Sequence, residues 1–108
     1  MTTTNSEINT EITKEKLDKY FAITKEGLTM AKGKFNQESE EMQKQAADFY
    51  NMAECYFNDA KHFRDQKQDW VLAFAALNYA HGWLDAGARA KLFLVENSRV
   101  FTVDGPYE

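Results

Sequence analysis

Asn78, His81, Asp85 and Arg89 recur at steps of three and four residues in "NYAHGWLDAGAR". At about 100° per residue on a helix, they fall within one sector of roughly 80°. An imidazole and a carboxylate one turn apart could exchange a proton or ligate a metal. With an amide and a guanidinium beside them, the four could centre a small-molecule or nucleotide site. A plainer reading competes: His81 is a core histidine, hydrogen-bonded to Asp85 or to Tyr20, as buried polar groups require. Asp85 and Arg89 then form an ordinary i,i+4 pair, worth about 0.3–0.5 kcal/mol if exposed.

A second polar set, Asp59 and His62, stands some twenty residues upstream. If the chain reverses at Gln66–Lys67, His62 lies level with Val71, Asp59 with Phe74, and His81 with Met52. The two sets are then about 10 Å apart along the axis. A histidine–zinc bond is only about 2 Å long, so they should not share an ion. No HExxH or CxxC spacing is present, and no Gly-rich loop opens a helix where it could cradle phosphate. Cys55 has no basic partner pattern that would activate a thiolate, and reads as a half-buried structural residue. No catalytic residue, metal or cofactor is expected.

These residues must be positioned by helices. The only proline is Pro106, so nothing breaks a helix before the C-terminal end. Three segments carry apolar residues at alternating steps of three and four. The first has Leu17, Phe21, Thr24, Leu28, Ala31 and Phe35. The second has Met42, Ala46, Phe49, Ala53, Tyr56, Ala60 and Phe63, large and small in alternation. The third has Trp70, Phe74, Leu77, His81, Leu84 and Ala88. Gly33 reads as a stop, and Ser39 and Asp69 as N-caps. Short connections make neighbouring helices antiparallel. The expected fold is all-α, an up-down-up three-helix bundle over residues 11–97. Residues 1–10 are expected to be disordered. Residues 98–108 should form a tail in which Val100, Phe101 and Val103 lie extended against the bundle.

The third helix has a second apolar set: Leu72, Ala76, Tyr79, Trp83, Ala86 and Ala90. A surface helix needs only one apolar stripe, so something should cover this one: the tail, a second copy or a partner. Gly82, Ala86 and Gly87 would permit close approach of another backbone, at about 1 kcal/mol of helix propensity per glycine.

The whole chain has 108 residues, 44% hydrophobic and 28% charged, with a net charge of −4. That bounds it to one domain. The acidic balance argues against a general nucleic-acid binder, which needs a basic surface. No apolar run approaches the roughly 20 residues that span a bilayer. The polar, acidic start and single cysteine read as a cytoplasmic protein. The lysines of the first segment alternate with acidic residues and form a solvated face.

"YFNDAKHF" at 56–63 and "DWVLAFAALNYAHGWLDAGARAKLF" at 69–93 resemble the archaeal family known as domain of unknown function 357. "YAHGWLDAG" at 79–87 is the most distinctive part, and "RVFTVD" at 99–104 resembles the family's end. The resemblance implies a three-helix bundle in an archaeal cytoplasm and no established activity. The leading functional expectation is a non-enzymatic interaction or assembly module using Leu72, Tyr79, Trp83 and Ala86, with an unknown protein or itself as partner. The alternative is the small-molecule or nucleotide site at Asn78, His81, Asp85 and Arg89.

Overall fold

In a computed structural model of the chain, residues 8–96 and 99–101 are described. Three helices follow one another: α1 Lys14–Lys32, α2 Glu40–Asp65 and α3 Trp70–Arg89. Each begins at a side chain that accepts a hydrogen bond from an otherwise unpaired helix amide. Thr13 accepts from Lys16 N, Ser39 from Met42 N and Asp69 from Leu72 N, at 3.0–3.1 Å. The segment proposed as disordered lies largely outside the described residues.

Tyr79 stacks on Tyr56 with ring centres 5.2 Å apart, and Trp83 meets Phe49 edge-on at 5.0 Å. Those pairings give α2 and α3 the antiparallel registry that a reversal at Gln66–Lys67 requires. Tyr20 meets Phe74, and Thr24 meets His81, so α1 runs parallel to α3. The architecture is the up-down-up bundle. Phe21 links α1 to α2 twice, edge-on to Phe57 at 5.7 Å and beneath the Arg64 guanidinium at 4.1 Å.

Every helical member of the α1 stripe is buried: Leu17, Phe21, Thr24, Leu28 and Ala31. In α2 the small members Ala46, Ala53 and Ala60 are fully buried, while Phe49 and Tyr56 flank them half-buried. Small residues at a seam let helix axes approach, and the aromatic rings close its edges. Phe57, outside the expected stripe, is buried because α2 also serves α1. Trp70 departs the other way: at the first turn of α3 it stays 37% exposed.

Phe35 is not helical. It lies beyond the end of α1, in an isolated antiparallel bridge with Phe93. Asn36 N donates to Leu92 O and Leu94 N to Lys34 O, both at 2.8 Å. The buried Asn36 side chain adds a bond from Nδ2 to Lys91 O and accepts one from Glu38 N. One asparagine thus shapes the α1–α2 turn and clasps it to the end of α3. α3 stops with Leu92 N bonded to Gly87 O and Lys91 N to Ala88 O, the Schellman pattern. Lys91 takes the left-handed position at φ 64°, where glycine is usual. Gly33, by contrast, ends α1 at an ordinary φ of −93°.

Candidate functional site

Position 81 lies on α3 between the buried Leu77 and Leu84. His81 is half-buried, and its ring faces α1 and the C-terminal segment rather than Met52 and Ala53 of α2. Nε2 lies 2.6 Å from Val100 O, and Nδ1 lies 3.4 Å from Thr24 Oγ1. A carbonyl can only accept, so Nε2 carries the proton and donates it to Val100. In the neutral ring Nδ1 then accepts from the Thr24 hydroxyl, at a long and therefore weak distance. Asp85 Oδ1 stands 3.6 Å from Nε2, outside hydrogen-bond reach.

The expected partners are thereby revised. Tyr20 packs edge-on against Phe74 at 5.1 Å, and Thr24 and the Val100 carbonyl take its place. The Thr24 hydroxyl faces the imidazole. Arg99 and Val100 lie in a turn and Phe101 in a bend, with Val100 and Phe101 fully buried. Val103, expected to join them, lies outside the described residues. The tail seats over Gly27, where an added Cβ would stand 3.1 Å from Leu84 and 3.2 Å from Val100. Residues 99–101 therefore fill the junction of α1 and α3, and among the described residues none covers Leu72, Tyr79 and Ala86 of the second apolar set.

Two hollows border α3. A polar one of about 440 Å³ is lined by Lys19, Thr24, Asn78, His81, Asp85 and Arg99, among others. Arg89 is exposed at the last turn, does not line this hollow, and among the described residues makes no ion pair with Asp85. Arg99 brings a guanidinium to the rim instead, 2.7 Å from Glu26. Sequence spacing could not find Arg99, because it comes from a segment with no periodicity. Asp59 and His62 are exposed on α2. Among the described residues no three His, Cys, Asp or Glu side chains gather where they could hold an ion. Cys55 is exposed rather than half-buried.

The other hollow, about 620 Å³, is lined by Phe49, Ala75, Asn78, Tyr79, Gly82, Trp83 and Ala86. Tyr79 is 64% exposed and Leu72 46%, while Ala76 is buried and Trp83 is half-buried against Phe49. Val71, at 67%, extends the apolar surface toward the start of α3. Gly87 accommodates the Phe93 ring, three of whose carbons would stand within 3.0 Å of an added Cβ. Among the described residues Gly82 has nothing within 4 Å, so the close approach expected there is not made by any of them.

No helix among the described residues is long and apolar enough to cross a membrane. Comparison with curated proteins and with solved structures gives no match. The model of one family, described as "Protein of unknown function (DUF357)", matches residues 19–93. That span takes in all of α2 and α3, most of α1 and the Asn36 clasp, so the chain belongs to the DUF357 family.

Proposed function

We propose that the protein is a non-enzymatic interaction or assembly module whose contact surface is the open face of α3, built on Leu72, Tyr79, Trp83 and Ala86. One observation carries the reading: an apolar hollow on α3 that neither α1, α2 nor the described tail fills. Contiguous apolar surface of this kind marks contact sites more often than it decorates a monomer. The net charge of −4 favours a protein partner over nucleic acid, and a cytoplasmic setting, in an archaeon as the resemblance implies, goes with the same reading.

The polar hollow supports a small-molecule or nucleotide site at Asn78, His81 and Asp85 less well. Both imidazole nitrogens already face protein partners, which leaves none free to meet a ligand. The test is affinity capture from the source organism's lysate with the full chain and with Ala86→Glu as baits. A protein retained by the first and lost by the second, with unchanged circular dichroism, supports the interaction reading. Equal capture by both baits contradicts it.

A further inference from the structure

We infer that the occupant of the apolar hollow is a second copy of this chain, each copy placing Tyr79 in the hollow of the other. The inference rests on the interaction reading and names its partner. The patch holds both halves of a fit. Tyr79, 64% exposed, has one ring face on Tyr56 and the rest toward solvent, and the hollow it borders is also lined by the small residues Ala75, Gly82 and Ala86. An isologous contact demands this property, because the same residues must supply projection and recess on both sides.

The patch is also suited to itself in charge. From Val71 to Ala86, the exposed positions of α3 are Val71, Leu72, Ala75, Asn78, Tyr79, Gly82 and Ala86, and none is charged. Two identical charged patches would repel, whereas this one can desolvate against its twin without stranding an ion. Val71 at 67%, Tyr79 at 64% and Leu72 at 46% exposed supply most of the apolar surface that a twin could cover. A face of this size lies at the small end for specific complexes, about 1,200 Å² in total, which makes the dimer a reversible, concentration-dependent one. The open Gly82 then has a use: helix propensity is given up where a neighbouring surface must come close.

Sedimentation equilibrium of the full chain under reducing conditions tests this, since the exposed Cys55 could otherwise link two copies. The expected result is a reversible dimer below about 1 mM whose dissociation constant rises at least about tenfold in Gly82→Glu and in Ala86→Lys. Circular dichroism melts identify any variant that fails to fold, and either folded variant suffices for the comparison. A wild-type chain that stays monomeric to about 1 mM overturns the proposal, as does a dimer indifferent to a folded variant. If the monomer still captures a partner that Ala86→Glu abolishes, only self-association fails and the interaction reading stands.

Discussion

Gly82 and Gly87 share one helix but answer to different neighbours. At Gly87 a methyl group would collide with the buried Phe93 ring, so the glycine belongs to the folded core. At Gly82 a methyl group would meet none of the described residues. The sequence treats the two alike, since both depart from good helix formers within one short segment. The contrast runs the length of α3. One side, with His81, Leu84 and Gly87, is closed by α1 and by Phe93, Val100 and Phe101. The other side, with Leu72, Tyr79 and Ala86, leans on α2 where Tyr79 stacks on Tyr56 and is otherwise open among the described residues. A helix apolar on both sides is explained by folding on one side only.

The hardest blow to the closed side is His81→Ala. It removes the donor to Val100 O and leaves a cavity between α3 and the tail, and should cost about 2–4 kcal/mol in denaturant melts. An unchanged melt would mean that the histidine does not hold the tail, and the two sides would differ less than the structure indicates. Gly87→Ala comes next, at about 1–3 kcal/mol from overpacking against Phe93. Adding Phe93→Leu should recover part of that loss. Strict additivity of the two changes would remove the assigned contact. On the open side the sign reverses. Gly82→Ala should stabilise the monomer by up to about 1 kcal/mol, read at a concentration low enough to avoid association. A destabilised monomer would show that Gly82 is constrained within the chain after all. The smallest effect is expected of Arg89→Ala, within about 0.5 kcal/mol, because the guanidinium is exposed. A loss of several kcal/mol would move Arg89 to the closed side.

Much of this architecture was legible in the residues. The stripe from Leu17 to Ala31 is buried as its spacing requires, and the caps at Ser39 and Asp69 form as their side chains predict. The registry about Gln66–Lys67 brings Tyr56 to Tyr79. Other features were illegible for a physical reason. Periodicity fixes a residue's angle on its own helix but not which neighbour occupies that direction. His81 was thus placed on a seam yet assigned Asp85 or Tyr20, when Thr24 and the Val100 carbonyl take its ring nitrogens and Asp85 stands 3.6 Å off. Phe57 was missed because α2 serves two neighbours at different angles. The sharp turn at Lys91 carries no glycine to announce it. Asn36 had a signal: an asparagine two residues before Glu38 in a polar turn is well placed to accept its amide.

The clasp at Asn36 bears on the order in which the molecule assembles. α2 and α3 are joined by four residues, Gln66 to Asp69, so their pairing closes a small loop and loses little chain entropy. The Asn36–Lys91 bond spans 55 residues, and the Thr24–His81 contact spans 57. Contacts so far apart in sequence are entropically late, and the helical hairpin of α2 and α3 precedes them. The expected order is therefore a helical hairpin of α2 and α3 with the Asn36 and Thr24 contacts to α3 closing last. A lesion at Asn36 then hastens unfolding while leaving the folding rate nearly untouched, which makes one buried amide a determinant of the native state's lifetime.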